Sequence, residues 1–317
     1  MAIKLGDIRL ENPFIQAPMV GVTDAPFRTI ARRFHKGLLF TEMVSAEAML
    51  RGNHQTLLST IIEEAHHPIA FQLVGSTPDR MAEAARMAEG EGADIIDINA
   101  GCPDKRLIAT GAGGALVRDV PRLRRIVSAV VRSVDVPVSV KMRLGWDKDI
   151  SLHLVRSLEG TGAAFLTFNG YLVTQGYRGG CDRQALASIV EASPLPIVVN
   201  GGIKDEKDAV ELLKATGAAC AMIGRATLGR PDMPGTAFEL MKEGAFERMS
   251  KDVLEKTILD HAALEVALYG EWRAIRRMRK HVHWYLAPVK RSYRPVEVTG
   301  LDTLKQLGAL VKRCLEL

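Results

Sequence analysis

The chain has 317 residues, 47% of them hydrophobic and 25% charged, the composition of an ordinary soluble globular protein. That excludes a compositionally disordered chain and a small disulfide-built scaffold. Lys and Arg number 42 against 37 Asp and Glu, a formal charge of +5, and the excess is local: residues 251–317 carry 13 basic and 8 acidic groups, while residues 1–250 carry 29 of each. A β/α barrel uses about 250 residues as one unit and would leave a tail that needs its own role. Cys102, Cys181, Cys220 and Cys314 are far apart and form no CxxC pair, which disfavours a structural metal site and suits a reducing compartment. There is no signal-peptide core at the start and no run of 18 apolar residues anywhere. The expectation is a cytoplasmic protein with no membrane partner, no metal and no obligate protein partner.

In chain order, strands are predicted near residues 14–17, 38–41, 69–73, 94–98, 138–142, 165–168, 197–200 and 221–223, with helices at 26–34, 78–89, 121–133, 150–159, 183–191 and 206–215. Short apolar runs alternate with helical patterns, which is βα periodicity. Several helices open on proline or an acidic residue, where the missing donor or the helix dipole is accommodated. The junctions GEGAD at 90–94, GTGAA at 160–164 and TGAAC at 216–220 can each end a helix and turn into a strand, glycine supplying the left-handed cap. Eight such units favour a closed TIM (β/α)8 barrel over a doubly wound sheet, with seven or nine units as the alternative counts.

The composition shifts near residues 235–250, and segments 252–287 and 301–315 read as helices joined by a proline-containing link. The expected domains are therefore a barrel at 1–245 and a helical unit at 246–317. Arg273, Arg276, Arg277, Arg279, Lys280, Lys290, Arg291 and Arg294 follow one another with no intervening acidic residue, accompanied by Trp284, Tyr285 and Tyr293. Such a surface can neutralise phosphates and stack on bases. The plainer reading is a solvated helix face whose aromatic residues bury against the barrel.

The working face of a β/α barrel lies at the strand C-termini, and polar residues fall there. Gln72 follows the third strand, Asn99 and Cys102 the fourth, Lys141 and Arg143 end the fifth, Asn169 follows the sixth, and Asn200 ends the seventh. Asn200, Gly201 and Gly202, with Gly224 and Arg225 after the eighth strand, can cradle a phosphate through backbone donors and a guanidinium; tight turns alone would also explain the glycines. With no GxGxxG after an early strand, a nucleotide would not be held in the Rossmann manner, whereas a flavin mononucleotide phosphate fits. Lys141 can stabilise electron density at the N1 and O2 edge of a reduced flavin, and Gln72 can hydrogen-bond a planar heterocycle, although both can also serve neighbouring backbone groups. Cys102 in NAGCPDK reads as a proton donor, as a nucleophile, or as a small buried hydrophobe.

Together these motifs resemble the dihydrouridine synthase family, especially its bacterial B-type branch. The resemblance runs through APMVGVTDAPFR at 17–28, FQLVGS at 71–76, DINAGCP at 97–103, GAGGALVRD at 111–119, VKMRLGWD at 140–147, VNGGI at 199–203 and MIGRATLGRP at 222–231, then RKHVHWYL at 279–286 in the tail. It implies an FMN-bearing barrel that uses NADPH or NADH to reduce selected uridines of transfer RNA to 5,6-dihydrouridine, with ribosomal RNA the lesser candidate. Pro18 and Met19 would line the flavin, Gln72 and Lys141 contact its ring, and Asn200, Gly202, Gly224 and Arg225 surround its phosphate. Cys102 would donate the proton to C5, Asn99 lie near the target base, and Arg143 hold that base or a phosphate. The tail would bind RNA, with Arg276, Arg277 and Lys280 in contact.

One loop departs from the family pattern. At NGYLVTQGY, residues 169–177, relatives usually carry histidine where Asn169 stands and arginine where Tyr171 stands. Asn169 can still hydrogen-bond near the flavin phosphate, and Tyr171 can stack on substrate, but a titratable donor and a cation are gone. The alternative function is an RNA-binding barrel whose reductase activity is lost or repurposed; a different flavin oxidoreductase is a third.

Overall fold

A computed structural model describes residues 3–316; the side chains of residues 55 and 290–292 lie outside the description, and with them those of Lys290 and Arg291 in the basic run. Among the described residues eight parallel strands form the sheet path, Phe14–Gln16, Leu39–Phe40, Ile69–Val74, Ile95–Ala100, Val138–Arg143, Phe165–Asn169, Ile197–Asn200 and Cys220–Ile223, paired in sequence order from the second onward and closed by pairing of the last with the first, while Val44–Ser45 adds a short strand beside Ile69–Val74. The remaining gap is bridged by the Gln16 N–H, which donates to the Leu38 carbonyl at 3.1 Å. The result is a TIM barrel. The glycine junctions turn as expected, with Gly92, Gly160, Gly162 and Gly217 at positive φ.

Alternation along the strands separates two cores. Outward residues such as Phe71, Ile98, Val140, Phe168 and Val199 pack against the surrounding helices. Inward residues Ile15, Phe40, Phe165, Val198 and Met222 join Leu5 and Leu10 of an N-terminal antiparallel hairpin, Ile3–Leu5 with Ile8–Leu10. That hairpin caps the apolar end of the interior. Above it the register aligns Gln72, Asp97 and Ser139 in one row, Asn99 and Lys141 in the next, and Arg143, Asn169 and Asn200 in the row after that.

The tail corrects two expectations. The segment predicted as a single helix at 252–287 is two, Lys251–Tyr269 and Glu271–Tyr285. They break at Gly270 (φ 75°, ψ 150°), a conformation open in practice only to glycine. With Leu304–Glu316 they enclose a separate core that includes Ile275, Met278, Val282, Leu307 and Val311. The second correction concerns the stacking aromatics: Tyr285 and Tyr293 are buried in that core, and Trp284 is half-buried.

The helical unit is tied to the barrel by charge. Asp24, buried at the N-cap of the helix Ala25–Arg32, accepts from Arg277 and from the Tyr269 hydroxyl (3.2 Å). Arg277 Nε donates to buried Glu265 at 2.9 Å, and Lys280 Nζ donates to the Gly21 carbonyl. One guanidinium thus serves two buried carboxylates. Burial opposes ionisation of Asp24, but Arg277 holds it below the usual carboxylate range; Glu265, buried and beside the Asp24 charge, is pushed up to about 9.

Candidate active site

All of the barrel residues expected at the mouth line one cavity of about 860 Å³, at the large end of the range for small-ligand sites. Pro18 and Met19 come from the loop after the first strand; the others come from the ends of the third to eighth strands and the loops beyond them.

The centre of the site is a polar chain built on Asp97, a residue not singled out from the sequence. Gln72 Nε2 and Ser139 Oγ each donate to the Asp97 carboxylate at 2.6 Å, and Asn99 Nδ2 donates to Gln72 Oε1 at 2.9 Å. Asn99 Oδ1 accepts from the backbone N–H groups of Gly101 (3.1 Å) and Cys102 (2.9 Å). The signal for Asp97 was present in DINAGCP: two residues before Asn99 on a strand, it shares the inward face. Burial pushes the Asp97 carboxyl up to about 6, against the hydrogen bonds from Gln72 and Ser139 and the charge of Lys141. Burial also brings the Lys141 ammonium down to about 8, with Asp97 opposing the shift.

Cys102 is a free, half-buried thiol. Burial raises its pKa above the ordinary thiol value, so it holds its proton at neutral pH. The loop that follows braces it: the Gly114 N–H donates to the Cys102 carbonyl at 2.9 Å. Arg143 Nε donates to the Gly101 carbonyl (2.8 Å), and Nη1 to the carbonyls of Leu172 (2.9 Å) and Gly176. Arg143 therefore stitches the Cys102 loop to the loop carrying Tyr171 and Tyr177.

Around the phosphate cradle, Asn200 Oδ1 accepts from Lys141 Nζ (3.3 Å) and Asn169 Nδ2 (2.5 Å), while its Nδ2 donates to the Met222 carbonyl (2.7 Å). The Asn200 amide orients its neighbours, whereas Asn169 Oδ1 is buried with no hydrogen-bond partner among the described residues. Gly201 and Gly202 both have positive φ. A Cβ on Gly201 would lie 3.0 Å from the Tyr171 ring, and one on Gly202 would lie 2.8 Å from Cys181. Tyr171, 5% exposed, thus packs under the glycine turn instead of reaching outward as a substrate-stacking ring would. Arg225 is exposed, 5.3 Å from the Tyr177 ring, and has no ion pair among the described residues. An uncommitted guanidinium, a buried carbonyl oxygen and glycines admitting close backbone approach fit an anionic group carrying a polar chain, as FMN does.

The sequence matches the profile of the family described as Dihydrouridine synthase (Dus) over residues 15–314. The chain belongs to the dihydrouridine synthase family. Among its relatives on the B-type branch, the tRNA-dihydrouridine synthase B of Pseudomonas putida is 37% identical over 289 residues, covering 90% of this chain and 86% of the relative. The corresponding protein of Xanthomonas campestris is 37% identical over 286 residues, with 89% and 86% covered. That of Pseudomonas aeruginosa is 36% identical over 297 residues, with 92% and 90% covered. In this dihydrouridine synthase, the three tail cations expected to contact RNA part company. Arg277 and Lys280 have their charges engaged by the barrel, while Arg276 is exposed and stacked on Trp272 at 4.3 Å.

Proposed function

We propose that the protein reduces uridines of transfer RNA to 5,6-dihydrouridine, with FMN at the barrel mouth and NADPH or NADH as reductant; ribosomal RNA is the lesser substrate candidate. The observation that carries this reading is that the Cys102 thiol, the Lys141 side chain and the anchored Gln72 amide line one cavity. Bound and reduced, FMN supplies the hydride equivalent that saturates C6.

The chain's own groups do the rest. Gln72, fixed by Asp97 and Asn99, presents its amide to the ring, and Lys141 places positive charge where electron density accumulates. Pro18 and Met19 line the ring, and Gly202, Gly224, Arg225 and Asn169 hold the phosphate end, with Asn200 orienting Lys141 and Asn169. Cys102 gives its proton to C5, and the thiolate regains one from solvent through the open mouth. Asn99 and Arg143 act through the Cys102 loop. The barrel at 1–245 carries the chemistry and the helical unit at 246–317 grips RNA. The thiols of Cys102, Cys181 and Cys220 are in no disulfide among the described residues, which suits a reducing cytoplasm.

Asn169 and Tyr171 favour this reading over a barrel that has lost its reductase activity. Asn169 keeps a hydrogen bond within the cradle, and Tyr171 fills space against Gly201, so both departures from the family pattern are accommodated. The test is to purify the protein with its natural cofactor, record the flavin spectrum, and map dihydrouridine in RNA from isogenic cells with and without the gene. The expected result is bound FMN and specific sites missing from the deletion strain. A protein that binds RNA but makes no dihydrouridine after FMN reconstitution would establish the alternative.

A further inference from the structure

Beside the active-site cavity lies a second one of about 590 Å³, between the barrel loops and the helix Glu271–Tyr285. Val20 and Met43 line both, so the two cavities adjoin at those side chains. On the helical wall stands Trp272, 64% exposed, although a tryptophan ordinarily buries most of its ring. The Arg276 guanidinium covers one indole face at 4.3 Å. Arg273 and Arg276 are exposed, and neither has an ion-pair partner among the described residues. Asn53, Thr56 and Ser59 supply hydrogen-bonding groups elsewhere in the lining.

We propose that this second cavity is a subsite for the nucleotide next to the target uridine, its base stacked on Trp272 and its phosphate on Arg273 or Arg276. The proposal rests on the RNA reading above. A uridine drawn into the main cavity leaves its neighbour without a stacking partner, and an exposed indole replaces the lost face for any base. Val20, 66% exposed, and Met43 then stand between consecutive bases of one strand. Arg277 lines the same cavity, but its charge is committed to Asp24 and Glu265, so Arg273 and Arg276 are left to meet the phosphate.

The adenosine phosphate end of the nicotinamide nucleotide has the same base-plus-phosphate chemistry, so the test separates the two. Flavin-loaded wild type and Trp272→Ala are titrated with a single-stranded RNA of about nine nucleotides containing one uridine, and with matched RNAs abasic on its 5′ or 3′ side. Wild type should lose about tenfold in affinity for one abasic RNA, and Trp272→Ala should bind that RNA and the intact one equally, at the weaker level. The part of the indole fluorescence quenching that RNA produces at Trp272 should be lost in the variant, leaving only that of Trp146 and Trp284. Undiminished discrimination in Trp272→Ala overturns the proposal, and a raised KM for NADPH alongside it assigns the cavity to the reductant. Wild type that makes no dihydrouridine in cellular RNA overturns this proposal together with the parent reading, whereas active wild type with equal affinity for all three RNAs overturns this one alone.

Discussion

Asn99 donates to Gln72 at 2.9 Å while its own carbonyl oxygen accepts the Cys102 N–H at 2.9 Å. One buried amide therefore sets both the proposed ring contact and the proposed proton donor. Asn99→Ala strands Gln72 Oε1 and two backbone donors, at about 1–3 kcal/mol for each buried group left unpaired. Asn99→Asp keeps the two backbone bonds but replaces the donation to Gln72 with a carboxylate oxygen facing Gln72 Oε1. Single-turnover RNA reduction should fall at least tenfold in Asn99→Ala and less in Asn99→Asp, with flavin affinity changing by a smaller factor than the rate. Equal rates in the two variants would show that the Cys102 backbone does not depend on Asn99.

Cys102→Ala should fold and bind FMN as wild type does, because the change removes one half-buried sulfur atom. It should lose about 10²–10⁴-fold in uridine reduction, the usual contribution of a positioned general acid. Flavin reduction by NADPH, followed at its visible band, should be retained. Unchanged RNA turnover would remove Cys102 from the mechanism.

Lys141 carries its charge below about pH 8 and loses it above. Flavin affinity should therefore be flat from pH 6.5 to 7.5 and weaken as the pH rises through 8. A bound anionic ring edge would itself favour the ammonium and move the limb upward. Lys141→Met should bind more weakly throughout and show no such limb. A limb that persists in the variant belongs to another group.

The two neighbouring arginines should separate cleanly. Arg277→Leu leaves Asp24 and Glu265 buried without their shared cation, and removing one partner of a buried pair costs about 3–5 kcal/mol. A large fall in melting temperature is expected. Arg276→Leu touches only an exposed stack, so its melting temperature should hold within the range of surface substitutions while RNA affinity drops and the salt dependence of binding becomes shallower. The reverse pattern would exchange their roles.

The same cluster gives stability a pH optimum. Glu265, raised to about 9 when folded, contributes stability that is fully present below its unfolded value near 4.5 and is lost as pH rises through 9. His261, lowered to about 4 by burial, acts oppositely, its contribution being lost as pH falls from about 6.5 towards 4. The two slopes offset one another between about pH 4.5 and 6.5, so thermal melts should be flattest and highest there and fall towards pH 9, and Glu265→Gln should flatten that alkaline fall. An unaltered alkaline slope in that variant would show that Glu265 is ionised in the folded protein.

The barrel was legible because each strand is an apolar run ended by a turn residue, as in 197–200, where expectation and structure coincide. The hairpin Ile3–Leu5 with Ile8–Leu10 went unseen because each strand, IKL and IRL, sets a charged residue between two apolar ones and so lacks the adjacent apolar residues that mark Phe14–Gln16. Treating 252–287 as continuous helix hid Trp272: the break at Gly270 starts a new helix whose stripe Ile275, Met278, Val282 and Tyr285 buries, turning Trp272, Arg273 and Arg276 outward. The spacing of that stripe also explains why Tyr285 is core. Arg277 and Lys280 looked like free cations because their partners Asp24 and Gly21 lie about 250 positions away, a pairing no local pattern reports.

The contact of Arg277 and Lys280 with residues 21–24 has a thermodynamic consequence. The loop they hold also carries Pro18 and Met19 at the flavin end of the mouth, and the helix they belong to carries Trp272. Any coupling these contacts carry between the proposed FMN rim and the proposed RNA-binding face is reciprocal. By whatever factor FMN changes the affinity for RNA, RNA changes the affinity for FMN by the same factor.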